Sequence, residues 1–286
     1  MQIAIDFNQP IITTITKRNS VRTYQPIEIS QGKIKTLQDA AKALGKAAYR
    51  FSLIELNDGS SITGQIGTYG VVKGASVFLV GIMQKDAKRR KNVAIHFGYD
   101  FEQLILKATE LCLGTCWIAG TYIPLFFTKK ISPSHNEKIA MVSPLGISAK
   151  EWHVIGEIAT RISKPKTRKP RNELFFNENA ETPLLKKNAG DYSSALEMVR
   201  LAPSAVNSQP WRVIRINGDY HFFAADTRYY HLVKINFLRY NDMGIALSHF
   251  ELACRELGLK GKWINHNPLK DMKPGLEYIQ TWKPAK

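Results

Sequence analysis

The sequence predicts an α+β protein made of two related halves in one chain. Three observations carry this. Strand-like apolar segments, Tyr49 to Leu56, Ala75 to Met83 and Arg212 to Ile216, alternate with helical ones such as 98–117, where apolar residues recur at i, i+3, i+4 and i+7. Residues 98–117 laid over 244–263 agree at six of twenty positions: Gly98/Gly244, Leu106/Leu252, Glu110/Glu256, Leu111/Leu257, Leu113/Leu259 and Trp117/Trp263. Finally, Gly64, Gly67, Gly70 and Gly74 lack the dinucleotide spacing and its acidic partner, which argues against a Rossmann fold.

Taken in order, Ile12 to Tyr24 begins apolar and turns basic, a short helical turn or extended piece carrying Arg18, Asn19, Ser20 and Arg22. Ser30 starts a helix whose body, Lys33 to Ala48, is rich in Ala, Leu, Lys and Gln. The strand Tyr49 to Leu56 stops at Asn57-Asp58-Gly59, a turn signal, and a glycine-punctuated loop leads into the strand Ala75 to Met83. In the helix at Gly98 to Trp117, Phe101, Leu104, Ile105, Ala108, Leu111 and Cys112 share a face, and Gly114 is the expected C-cap. Thr115 to Tyr122 follows as an apolar strand or turn. Ile139 to Val142 reads as a strand meeting a turn at Ser143-Pro144-Leu145-Gly146. Residues 161–190, with the basic, proline-bearing run Lys164 to Arg171, form a connector, giving halves at 1–160 and 191–286. In the second half a helix ends at Leu201, and Arg212 to Ile216 runs into an Asn217-Gly218 turn.

Composition narrows the function classes. With 44% hydrophobic and 22% charged residues the chain is globular in type. No apolar run reaches the roughly 18 residues of a membrane span, and no basic-then-apolar signal opens the chain, so a cytoplasmic protein without a membrane partner is expected. The formal net charge of +16 and pI near 9.7 suit nucleic acid, membrane surfaces or phosphorylated ligands. Lys85 to Lys91 and Lys164 to Arg171 are the densest clusters, and neither interleaves stacking aromatics. A solvated basic surface with a few phosphate-binding positions is the expectation, with no nucleic-acid partner. Cys112, Cys116 and Cys254 have no His or further Cys at metal-finger spacing, so no metal is expected. His96, His135, His153, His221, His231 and His249 share no spacing and no triad arrangement, as surface or core histidines would.

Two stretches carry chemistry. Ala202 to Trp211 contains Pro203 and Pro210, which fix φ near −65°, and clusters Ser204, Asn207, Ser208 and Gln209 with free backbone donors. It could surround a polyoxygenated ligand; an ordinary polar turn ending in a core Trp is the competing account. Arg18, Ser20 and Arg22 could gather two guanidinium groups and a hydroxyl around a phosphate or a polar ring edge. A solvated basic helix end explains the same residues.

Both stretches resemble segments of the nitroreductase family of flavoproteins. Ala202 to Trp211 is similar to its Pro-Ser-x-x-Asn-x-Gln-Pro-Trp segment, and Arg18 to Tyr24 to its opening Arg-Arg/His-Ser-x-Arg/Lys-x-Phe/Tyr signature. Ala108 to Ala119 is similar to the family's Glu-Leu-Gly-Leu-Gly-x-x-Trp-Ile, with Cys112 where Gly is usual. The resemblance implies a nitroreductase-like fold with a mixed or antiparallel sheet core. It also implies an FMN site in which Arg18 and Ser20 bind phosphate and ribityl chain, Arg22 faces N1 and O2, and Asn19 is a further cofactor-binding residue. By the same resemblance the Pro144-Leu145-Gly146 turn passes the central ring, Leu145 N–H donates to N5, and Arg168 reaches the phosphate. Pro203, Ser204, Ala205, Asn207 and Gln209 would lie against the flavin.

Family members are homodimers in which the Arg-x-Ser-x-Arg element and the Pro-x-Gly turn come from one subunit and the Pro-Ser-x-x-Asn segment from the other. Here the first half holds the former pair, and at the latter's place has only Ala43 to Arg50. The chain therefore resembles a fused dimer, similar to the tandem-repeat "putative TM nitroreductase" subgroup, and the expectation is a monomer acting as a pseudo-dimer with one FMN. The implied function is an oxidoreductase passing reducing equivalents from NADH or NADPH to a small organic acceptor by a ping-pong cycle, with the chemistry on the flavin and no protein acid, base or nucleophile. A flavin store or sensor with little turnover is the alternative. The substrate pocket is placed, from position, at Gly64 to Val72 and Ala225 to Tyr240.

Overall fold

The computed structural model describes residues 1–56, 72–86, 90–149, 167–227, 230, 236–268 and 275–285. The turn at Asn57-Asp58-Gly59, the glycines Gly64, Gly67 and Gly70, and His153 and His231 lie outside the described residues. So do parts of both basic clusters.

The first half begins with an N-terminal arm and helix α1 (Ile11–Lys17), then α2 (Gln31–Leu44), β1 (Tyr49–Glu55) and β2 (Val77–Gln84). The long helix α3 (Lys91–Glu110), β3 (Gly114–Thr115), α4 (Pro124–Ile131) and β4 (Glu137–Gly146) complete it. The second half comprises β5 (Phe175–Asn177), α5 (Lys186–Ala189), α6 (Tyr192–Leu201), β6 (Trp211–Ile216) and β7 (Asp219–Ala225), then α7 (Asn236–Glu256), β8 (Gly261–Ile264) and β9 (Leu276–Pro284). Two sheets result, ordered β1-β2-β4-β3 and β5-β6-β7-β9-β8. Apart from β5, which pairs parallel to β6, every ladder is antiparallel and the orders match strand for strand. The repeat therefore extends well beyond the aligned helix: helix, two strands, long helix, short strand, and a last strand inserted beside the second.

The long helices α3 and α7 cross at the centre. A Cβ added to Gly98 would stand 2.2 Å from the carbonyl oxygen of Asn241, and one added to Gly244 would stand 2.0 Å from that of Ile95. Gly98 and Gly244 are 146 residues apart, and so are Ile95 and Asn241. The two contacts are thus one contact repeated about a local two-fold axis. Only glycine lets the main chains approach this closely.

Each half also fills the other's interior. Ile11 and Ile15 of α1 are buried in the core formed mainly by α6, β6, β7 and α7, each worth about 1.5–3 kcal/mol of burial. In the opposite direction, Tyr230, Phe237 and Leu238 are buried among α2, β1, β2 and α3. The arm is held at both ends of the crossing. Glu110 accepts the N–H of Asn8 and, at 2.7 Å, that of Gln9; Glu256 accepts the N–H of Ile11, at the start of α1. Glu110 and Glu256 are repeat equivalents, and anionic side chains suit a helix N-terminus.

Three local expectations are corrected. The helix of 98–117 begins at Lys91 and ends at Glu110; its first turns pack both across α7 and, through Phe97, on β1 and β2. The left-handed residue after it is Cys112, at φ 60°, and its equivalent in the second half is Gly258, at φ 70°. Gly114, expected as the cap, sits in β3, where a Cβ would be 2.8 Å from Val21 Cγ2. The turn expected at Ser143 to Gly146 is strand: Pro144 pairs with Phe78, and Leu145 with Val77 on one side and Thr115 on the other. The Asn217-Gly218 turn forms as expected, with φ of 51° and 90°. Among the described residues no helix is long and apolar enough to cross a membrane.

Candidate functional site

Helix α1 ends at Lys17, and Arg18 leaves it with ψ 127°, sending the chain into an extended piece. Ser20 bridges Thr115, and Thr115 pairs with Leu145, so Arg18 to Arg22, β3 and the end of β4 lie side by side. Adjacent strands stand about 4.8 Å apart. Arg18 is buried, and its Nε has no hydrogen-bond partner among the described residues. Burial holds its guanidinium below the usual range, against the opposing pull of Glu102 and Cys116. Asn19 is exposed. The Cys116 thiol is pushed up by burial, while Arg22, Arg18 and the Ser20 hydroxyl pull the other way. The Tyr24 ring lies over Gly146, where a Cβ would be 2.8 Å from Cδ1, and its hydroxyl donates to Val21 O at 2.6 Å. The small size of Gly146 is used here against Tyr24.

In the second half, Pro203 and Ser204 stop α6 and a single 3₁₀ turn, Ala205–Asn207, follows. Three residues that are not glycine have positive φ here: Val206 at 45°, Asn207 at 57° and Gln209 at 48°. Asn tolerates this region, whereas a β-branched Val does so at a cost of about 1–3 kcal/mol. The surroundings fix the strained turn. Ser204 Oγ accepts the N–H of Gln209 at 2.9 Å, and Asp242 Oδ2 accepts the N–H of Ala205 at 2.9 Å. Tyr230 OH donates to Asp242 and meets Ser208 Oγ at 2.6 Å. Asp242 is raised to about 7 by burial, opposed by its bonds to Tyr230 and Ala205.

The connector joins the two pieces. Arg168 donates to Asn207 Oδ1 at 2.7 Å and to Leu201 O at 3.1 Å, while Asn207 Nδ2 donates to Thr167 O at 2.6 Å. Gln209 Oε1 accepts the N–H of Lys169 at 2.8 Å. Burial lowers Arg168 to about 10, with the positive charges of Arg18 and Arg200 contributing. Arg18 from one half therefore adds its charge to the field at Arg168, beside the turn of the other. The gathered residues can neutralise a phosphate.

Several residues at this junction were missed in the sequence. Glu102 and His249, both fully buried, meet across the helix crossing at 2.9 Å. His249 Nδ1 stands 3.0 Å from Met198 O, and Trp117 Nε1 donates to Glu102 Oε2 at 2.7 Å. A carbonyl only accepts, so Nδ1 carries hydrogen and one proton lies between Nε2 and Glu102. His249 is the satisfied core histidine that its lack of pattern suggested. Asp242 and Glu102 could have been flagged only as acids inside helices otherwise destined for burial. A cleft of about 350 Å³ opens between Lys42 and Arg50. It lies at the first half's counterpart of the 202–211 turn, where the Pro, Ser, Asn and Gln are missing. Of the substrate-pocket expectation, residues 64–71, 228–229 and 231–235 lie outside the described residues. Among the described residues no group of three or more His, Cys, Asp or Glu could hold a metal.

A family model described as "Putative TM nitroreductase" matches residues 10–254. A putative nitroreductase of Thermotoga maritima has the same fold, with a TM-score of 0.58 at 19% identity over 98% of this chain and 95% of that one. Weaker likenesses include a putative NADH dehydrogenase/NAD(P)H nitroreductase of Bacteroides thetaiotaomicron, with TM-score 0.40 and 17% identity over 51% of this chain and 90% of that one. A putative nitroreductase of Desulfovibrio desulfuricans in complex with FMN has TM-score 0.39 and 19% identity over 53% and 95%. No curated protein matches.

Proposed function

Because the chain belongs to the putative TM nitroreductase family, we propose that it is an FMN-dependent oxidoreductase passing reducing equivalents from NADH or NADPH to a small organic acceptor by a ping-pong cycle. The observation that carries this is buried Arg18, whose Nε lacks a partner among the described residues, together with Arg168 bonded to the strained polar turn of the other half and lowered in part by the charge of Arg18. A buried and a half-buried guanidinium whose charges oppose one another favour a dianionic ligand. FMN, when bound, supplies the hydride-accepting ring.

In this reading Arg18, Ser20 and Arg168 neutralise and orient the cofactor's phosphate end. Arg22 places positive charge at the pyrimidine edge, and Arg22→Ala should lower the flavin potential and slow turnover; unchanged values would remove that role. Asn207 and Gln209 act through shape, since their side chains are bonded to residues 167–169. Asp242 keeps the N–H of Ala205 satisfied and so holds the turn in place. One chain carries both sides of one site and acts as a monomer.

The absorbance spectrum of the purified protein tests this directly. A yellow protein releasing about one FMN per chain is expected, and two per monomer would overturn the single site. Anaerobic NADH or NADPH should bleach the band near about 450 nm within seconds. A flavin that stays oxidised would make the chain a flavin store or sensor.

A further inference from the structure

Gln209 is gripped by two basic residues that the proposed cofactor site does not use. Its side chain accepts the N–H of Lys169 at 2.8 Å, and its carbonyl accepts from Arg212 Nη1 at 3.1 Å. The same Nη1 donates to Trp211 O at 2.7 Å, so the guanidinium is fixed against main chain while its Nε and Nη2 bond to none of the described residues. Lys169 is anchored through its backbone, and its ammonium likewise bonds to none of them. Both side chains are half-buried, and burial holds both below their usual range, with Arg212's charge adding to the effect on Lys169. The acid that acts on both is Glu173, which is exposed. A guanidinium fixed on the main chain at Gln209 and a neighbouring lysine anchored to the same Gln209, with the solvated Glu173 as the acid acting on both among the described residues, offer an anion two positive charges.

The charge count narrows the ligand. A terminal phosphate monoester carries about −1.5 to −2 at pH 7, matching two unit cations, whereas each phosphorus of a pyrophosphate diester carries about one. We infer that Lys169 and Arg212 form a second anion site next to Arg168, which takes the 2′-phosphate on the adenosine ribose of NADPH and makes NADPH the preferred donor. This rests on the oxidoreductase reading above. Arg212 supplies the planar fork that suits phosphate oxygens, and Lys169 the point charge.

Calorimetric titration with 2′,5′-ADP and with 5′-AMP reads the site without turnover. The first should bind at least about tenfold tighter, and Lys169→Gln or Arg212→Gln should bring the two within about threefold. In either variant the NADPH-to-NADH ratio of kcat/KM should fall about tenfold. Equal affinity of the unaltered protein for the two nucleotides overturns the proposal. So does a ratio untouched by Lys169→Gln, whose side chain holds nothing together and whose loss should leave the fold intact. If both variants lose flavin while the donor ratio stays constant, the pair serves the cofactor's own phosphate, and the proposal fails. The visible spectrum of the same samples separates the two readings: a flavin-loaded protein that binds both nucleotides equally overturns this proposal alone, and a flavin-free protein overturns both.

Discussion

Cys112 and Gly258 occupy the same backbone position in the two halves, both with positive φ, and only the second has the residue that adopts it without strain. Left-handed geometry costs a side-chain-bearing residue about 1–2 kcal/mol, and glycine's extra freedom in the unfolded chain returns about 0.5–1. Cys112→Gly should therefore stabilise by about 0.5–1 kcal/mol and raise Tm by about 1–4 °C in a thermal melt. Asp242 gives a pH test. Its folded value of about 7 lies above the ordinary carboxyl value, so its contribution to stability is full below about pH 4 and is lost as pH rises through about 7. Denaturant unfolding between pH 5 and 7.5 should show stability falling with pH, and Asp242→Asn should flatten most of that slope. Asp100, raised to about 6 by burial, adds a slope of the same sign, and His96 and His221, both lowered by burial, add one of the opposite sign, so the difference between the unaltered protein and Asp242→Asn is the quantity to read. The candidate site was proposed from sequence because Arg18, Ser20, Arg22, Asn207 and Gln209 sit in short linear patterns. What Asn207 and Gln209 bond to was not, since Thr167, Arg168 and Lys169 reach them only through folding.

At the level of elements, the α3–α7 crossing is the least forgiving contact. Gly98→Ala or Gly244→Ala would drive a methyl into a carbonyl oxygen, which neither helix can move aside alone. A loss of about 3 kcal/mol or more is expected, read as a Tm lowered by several degrees. Gly32, in the first turn of α2 with nothing within 4 Å of a Cβ, is the control. Gly32→Ala should stabilise by about 0.5–1 kcal/mol. The repeated glycines and glutamates were visible in the aligned sequences, but their reason was not: glycine marks a crossing and glutamate a grip on the N-terminal arm. The true length of α7 was hidden because Asn241, Asp242, Ser248 and His249 are all buried, so the apolar face loses its periodicity. The Pro144 strand was misread because proline, barred from most ladders, is tolerated here between Phe78 and β3.

For the whole molecule, the duplicated topology was readable from one aligned helix, whereas the exchange of segments between cores depends on contacts far apart in sequence. Removing residues 1–10 should take from Glu110 the N–H groups of Asn8 and Gln9, leaving it Lys107 alone among the described residues, at a cost of about 1.5–3 kcal/mol for hydrogen bonds to a charged group. A lowered denaturation midpoint would register it. That exchange also bears on history. Because α1 is stitched into the interior of the later half and the start of α7 into that of the earlier one, severing the gene in its middle would not restore two self-sufficient ancestors. The severed products would be obligate companions, so the joining of the duplicates behaves as a ratchet that turns one way.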